Sequence, residues 1–191
     1  MKTFFDPRKN IDRNGKLSGW ASVFIILGLM IADQFVLDIP YENIVFPLLV
    51  IAAATLTFSQ NFVLVAVYSV IYELSCIAWF PYDLYNVRWW LLSVFLGYFS
   101  TYVAYKIIFA KNKNPGTLSL AAFASVGEIL YFWVSVGATC IIWKVPFAQY
   151  FLSDLPYELL GSAITFICAL PVVYLYKNRK LFKKPRVANK I

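Results

Sequence analysis

The chain has 191 residues, 61% of them hydrophobic and only 14% charged, with a mean hydropathy of +0.67 and a net charge of +7. Soluble domains carry about 25% charged residues, so this composition describes an integral membrane protein with no soluble domain. The chain contains no histidine, which excludes histidine proton relays, histidine metal ligation and Ser-His-Asp or Cys-His catalysis, and Cys76, Cys140 and Cys168 form no C-x-x-C pattern and read as buried small hydrophobes.

In chain order, a basic tail over 1–16 carries Lys2, Arg8, Lys9, Arg13 and Lys16. No small-residue cleavage signature follows it, so the first apolar run, 17–37, reads as a retained helix rather than a signal peptide. The next run, 44–72, has no charged residue. As one helix it would extend about 43 Å against a hydrocarbon core of about 30 Å. The polar triplet Ser59-Gln60-Asn61 divides it into a second helix over 41–58 and a third over 62–79. Further apolar runs predict helices over 88–109, 118–143 and 155–176, and a basic tail closes the chain over 177–191. The expected fold is therefore an all-α membrane protein with a six-helix membrane domain over 17–176.

Charge sets the number and direction of the spans. With six helices both tails share one side, and that side holds 15 of the 17 basic residues, leaving Arg88 and Lys144 opposite. With five helices the two basic tails would lie on opposite sides. The positive-inside rule favours six spans with both termini cytoplasmic. The tails themselves read as topology signals and lipid-headgroup contacts, not as a nucleic-acid interface.

The acids follow the opposite distribution. Asp33, Asp38, Glu42, Asp83, Asp154 and Glu158 fall on the expected outer side, and Pro-Tyr-acid recurs at Pro40-Tyr41-Glu42, Pro81-Tyr82-Asp83 and Pro156-Tyr157-Glu158. Proline and an acid suit the first turn of a helix, and tyrosine suits the membrane interface. The same turns could equally rim one outward-facing pocket, and the two readings are compatible. Asp33, Glu73, Glu128 and Glu158 come from four helices with no basic residue at matching depth. Carboxylates inside a membrane face a bundle interior or a wet cavity, so a polar internal cavity is expected; pairing with Ser, Thr or Tyr hydroxyls is the alternative. Trp79, Tyr82, Tyr85, Trp89 and Trp90 crowd the connection between the third and fourth helices, and Tyr131 lies on the fifth. With Asp33, Asp83, Asp154 and Glu158 they form the candidate substrate site, suited to a planar or amide-rich organic ligand. On the first helix, Ser18 and Ser22 have small-x-x-x-small spacing, which allows another membrane subunit to dock closely; packing within the chain is the alternative.

Six short helices, an aromatic and acidic outer end, and the closing stretch Phe151-Leu-Ser-Asp-Leu-Pro-Tyr-Glu-Leu-Leu-Gly-Ser-Ala-Ile-Thr-Phe-Ile-Cys-Ala-Leu-Pro-Val-Val-Tyr174 resemble the substrate-binding S component of energy-coupling factor (ECF) vitamin transporters. The resemblance implies a bacterial plasma-membrane subunit that captures a vitamin from outside. A separate transmembrane coupling subunit and two cytoplasmic ATPases would supply the energy. The family's Ala-x-x-x-Ala docking pattern would map to Ser18 and Ser22. The chain has no G-x-x-x-x-G-K-[ST] loop, so any ATP hydrolysis is expected in partner subunits. No metal or cofactor is expected in the chain itself. The acidic outer face argues against folate or pantothenate, which would want an arginine. By likeness to cobalamin-type S components, cobalamin or cobinamide is the leading ligand, with thiamine, riboflavin and a queuosine precursor as alternatives. A small membrane enzyme acting on lipid, using acids to hold Mg²⁺, is a further alternative.

Overall fold

The computed structural model describes residues 19–37, 44–79, 87–112, 114–144 and 146–178. Among these there is no β-strand, and six α-helices succeed one another: α1 (Gly19–Ala32), α2 (Val45–Thr55), α3 (Phe58–Trp79), α4 (Val87–Ile108), α5 (Thr117–Trp143) and α6 (Phe147–Lys177). A single π-helical turn, Asp33–Leu37, extends α1. The helices α4, α5 and α6 are long and apolar enough to cross a membrane.

The helices carry many large apolar side chains on their outer faces, while polar side chains lie among the buried ones. Phe24, Ile107, Ile141 and Ile167 are exposed, while Ser69, Thr101, Ser162 and Thr165 are buried. Water would impose the reverse arrangement; lipid, being as apolar as leucine, leaves close packing and interhelical hydrogen bonds to hold the helices together. Along α6 the inward stripe is Gly161, Ser162, Thr165, Ala169 and Val173. Its Ser162 meets Ser125 of α5: the two hydroxyl oxygens lie 2.6 Å apart, and each is within bonding distance of the other residue's carbonyl oxygen, at 2.8 and 3.1 Å.

Helix α2 is the axis of the bundle. It packs against α1, α4, α5 and α6, and Val45, Phe46, Pro47, Leu48, Leu49, Val50, Ala52 and Ala53 are all buried. The alternation of the chain is recorded by contacts at both ends. At one end the backbone N–H of Ile44 donates to Asp33 Oδ2 at 3.1 Å, joining the end of α1 to the start of α2, and Trp90 lies 6.1 Å from Trp143 between ring centroids. At the other end Lys177 Nζ donates to Asn114 Oδ1 at 3.2 Å and to the carbonyl of Pro115, tying the end of α6 to the start of α5.

Two boundaries differ from the sequence expectation. The long uncharged run does break in two, but at Leu56-Thr57 rather than at the polar triplet. The triplet instead builds the first turn of α3. Gln60 N–H donates to Thr57 Oγ1 (3.4 Å) and Thr57 N–H donates to Gln60 Oε1 (3.0 Å), a reciprocal capping box. Asn61 Nδ2 donates across the break to the Ala52 carbonyl at 3.2 Å and to the Thr57 carbonyl at 3.0 Å. Helix α6 starts at Phe147, eight residues before the expected 155, with Pro146 as its N-cap. Pro156 therefore sits inside the helix rather than in its first turn. Prolines are tolerated within membrane helices because neighbouring helices and side chains satisfy the freed backbone groups.

Candidate functional site

At the end of the bundle where α3 and α5 finish and α4 and α6 begin, a cavity of about 280 Å³ opens between those four helices. Tyr72, Glu73 and Cys76 of α3, Trp90 and Ser93 of α4, Tyr131, Ser135, Thr139 and Cys140 of α5, and Asp154 of α6 line it. Each helix contributes residues spaced by three or four positions, the spacing that keeps side chains on one face. Tyr131, Ser135 and Thr139 are such a polar stripe along an otherwise apolar helix.

Aromatic packing forms the floor. The rings of Tyr98 and Tyr131 are stacked with centroids 4.4 Å apart. Tyr68 and Tyr72 meet Tyr98 edge-on at 5.3 and 6.1 Å, and Phe46 of α2 lies 5.8 Å from Tyr131 from below. Each such pair contributes about 0.5–1.5 kcal/mol beyond its area burial, so Tyr131 presents a fixed face to the cavity.

Two carboxylates, Glu73 and Asp154, border this space, and no lysine or arginine is among the described residues lining it. Glu73 is only 7% exposed. Aromatic faces and carboxylates without a counter-cation attract a ligand cation, and the surrounding hydroxyls can donate to or accept from amide groups. No three His, Cys, Asp or Glu side chains among the described residues cluster as metal ligands would.

Of the residues expected in the site, Trp90, Tyr131 and Asp154 are brought together here. Trp89 lies outside the cavity lining and is 39% exposed. Asp33 is buried, accepts from the Ile44 backbone N–H, and is not among the residues lining the cavity. Glu158 lies one turn of α6 beyond Asp154 and does not line the cavity. Tyr82, Asp83 and Tyr85 lie outside the described residues, as does the side chain of Trp79, the last residue of α3. The motifs at Pro40-Tyr41-Glu42 and Pro81-Tyr82-Asp83 also lie outside them, and so does Ser18; Ser22 is half-buried on α1.

The four acids expected within the membrane, Asp33, Glu73, Glu128 and Glu158, do not share one space: of these, only Glu73 lines the cavity. Glu128 and Tyr131, three positions apart on α5, point to different neighbours. Glu128 packs on Gly161 of α6, and Tyr131 packs on Gly97 of α4. Sequence reasoning omitted Tyr72, Cys76, Ser93, Ser135, Thr139 and Cys140 from the site. The i, i+4, i+8 repeat of Tyr131, Ser135 and Thr139 was the signal that could have found the α5 wall.

Compared with known proteins, the chain matches no family, no curated protein and no solved structure.

Proposed function

We propose that this chain is the substrate-capturing membrane subunit of an ATP-driven vitamin importer, an S component of the energy-coupling factor kind. Its ligand is a small organic cation or a neutral amide-rich molecule held in the cavity between α3, α4, α5 and α6. The observation that carries this reading is the grouping of Glu73 and Asp154 with Trp90, Tyr72 and Tyr131 around a space that no basic residue among the described residues lines. Drug-sized ligands occupy pockets of about 300–1,000 Å³, so a cavity of about 280 Å³ suits a small ligand such as thiamine, and a corrinoid such as cobalamin or cobinamide, the ligand the resemblance favours, would extend beyond it.

In this reading all six helices lie in the membrane, the short α2 reaching only part of the way across, both termini are cytoplasmic, following the basic residues, and the cavity opens outward to collect its ligand. The coupling subunit docks where α1 begins, near Ser18 and Ser22, and two cytoplasmic ATPases drive release. The test is equilibrium binding to the purified full chain with thiamine, riboflavin, a queuosine precursor, cobinamide and cobalamin, with and without Mg²⁺. Saturable binding of a small cation, lost in Glu73→Gln, supports the assignment. Binding to none of them, or preferential binding of folate or pantothenate, overturns it, and Mg²⁺-dependent turnover of phospholipid would instead make the protein an enzyme.

A further inference from the structure

At the end of the bundle opposite the cavity, where α3 begins and α4 finishes, aromatic rings form a continuous strip on the outer surface. Phe95, Phe99, Tyr102 and Lys106 succeed one another at intervals of four, three and four residues, which places them on one stripe of α4. Phe99 stacks on both Phe95 and Tyr102, with centroids 5.4 Å apart in each pair. From α3, Phe58 meets Phe99 and Tyr102 edge-on at 5.8 and 5.9 Å, and Phe62 meets Phe95 and Phe99 edge-on at 5.3 and 5.9 Å. The strip faces outward: Phe58 is 59% exposed and Phe62 45%.

Lys106 closes the strip. Its Nζ lies back over the preceding turn, 5.3 Å from the Tyr102 ring centroid and 5.9 Å from that of Tyr105. A lysine that only reached for water would extend past the helix end. Here the ring faces hold the ammonium at the head of the strip. Its N–H donors meet no acceptor and no carboxylate among the described residues. Helix α4 carries no acid, and Glu73 of α3 lines the cavity at the other end.

The dimensions point to the occupant. Helix α4 is long and apolar enough to cross a membrane, and Phe95 to Lys106 covers about 16 Å of it. One leaflet's share of a hydrocarbon core of about 30 Å is about 15 Å. An interfacial belt of Trp and Tyr stays at headgroup level, whereas this strip, mostly phenylalanine, runs a full leaflet deep below its cation. We propose that it binds one anionic phospholipid of the leaflet on the Lys106 side. The phosphate pairs with the Lys106 ammonium, and one acyl chain lies along Phe58, Phe62, Phe95 and Phe99. The site is remote from the cavity and does not depend on what the cavity binds.

Native mass spectrometry of the full chain, comparing phosphatidylglycerol with phosphatidylcholine of the same acyl chains, tests this. The parent should retain one phosphatidylglycerol in preference to phosphatidylcholine. Lys106→Gln should lower phosphatidylglycerol affinity about fivefold, the worth of one basic residue at an anionic headgroup, and leave phosphatidylcholine unchanged. Lys144→Gln removes the same charge at the other end of the bundle and should change neither. Phe62→Ala, at an exposed position, should weaken both lipids. In the parent itself, phosphatidylglycerol with a photoreactive group at mid-chain should crosslink within 58–62 or 95–99. No preference in the parent, an equal loss in Lys144→Gln, or crosslinks confined to other helices overturns the site. Competition by glycerol phosphate would reduce it to a site for a free anion and overturn the lipid. A dimer in phosphatidylcholine nanodiscs that Phe62→Ala dissociates would give the strip to a second copy of the chain instead.

Discussion

Tyr98 and Tyr131 lie face to face, 4.4 Å between centroids and 29° between planes, and the residue before Tyr98 is the glycine that lets Tyr131 approach. A Cβ on Gly97 would stand 2.6 Å from Tyr131 Cδ2 and 3.1 Å from its carbonyl oxygen. The stack and the close α4–α5 contact are thus one feature, held from both helices.

Gly97→Ala should therefore destabilise the protein by about 1–3 kcal/mol, the usual cost of overpacking a well-filled contact. Thermal unfolding in detergent, followed by circular dichroism, measures it. The same change at Gly28, where nothing lies within 4 Å of an added Cβ, should leave the midpoint unmoved. Equal effects at both positions would refute the close-approach account.

The capping box at the start of α3 predicts a second, smaller loss. Thr57→Ala removes the hydroxyl that accepts from Gln60 N–H and should cost about 0.5–2 kcal/mol. Thr57→Ser keeps the oxygen and should retain most of the stability. An alanine variant as stable as the parent would show that Asn61 alone carries the turn.

Ser125 and Ser162 should behave as one unit. Each single alanine variant should cost about 0.6 kcal/mol, the average for interhelical hydrogen bonds in membranes. The double variant should cost less than the sum of the two singles if the hydroxyls bond each other. Additive losses in a double-mutant cycle would show that each hydroxyl bonds the opposite carbonyl instead.

Position in the cavity separates binding rings from interfacial ones. Glu73→Gln and Asp154→Asn remove charged hydrogen-bond acceptors and should each weaken binding of a cationic ligand by about 1.5–3 kcal/mol, roughly 10- to 150-fold. Trp90→Ala should also weaken it, while Trp89→Ala should change expression or stability and leave affinity within about twofold, a shift of roughly 0.4 kcal/mol. Isothermal titration of folded variants decides. An equal loss at both tryptophans would move the site toward the α3–α4 connection.

For topology, single cysteines at Asn10 and Asn189 should label only after the membrane is permeabilised, since a six-span arrangement would put 15 of 17 basic residues on the side of the tails. Labelling of either position in intact cells would reverse the orientation.

The six helices were legible because apolar runs separated by charged or polar segments are visible in one dimension. Their faces were not. In a soluble helix the buried stripe is marked by hydrophobicity, but here Leu152 and Leu160 face outward and Val173 faces inward, so apolarity carries no direction. Only a polar residue betrays an inward face, and Ser135 and Thr139 were too modest to stand out beside the aromatic run at 79–90. The start of α6 was misplaced for a related reason. Pro156 looked like a first-turn proline because membrane helices accommodate interior prolines that soluble ones do not. The triplet at 59–61 marked the break correctly to within a turn, since polar side chains that interrupt a long apolar run also serve to cap the next helix.

Helix α2 has 11 residues, about 17 Å of helix, and reaches little more than halfway across a hydrocarbon core of about 30 Å. Three of its partners, α4, α5 and α6, are synthesised after it. If the helices enter a membrane in chain order, this half-length segment is made before most of the surface that covers it, and its packing is complete only once α6 has joined it.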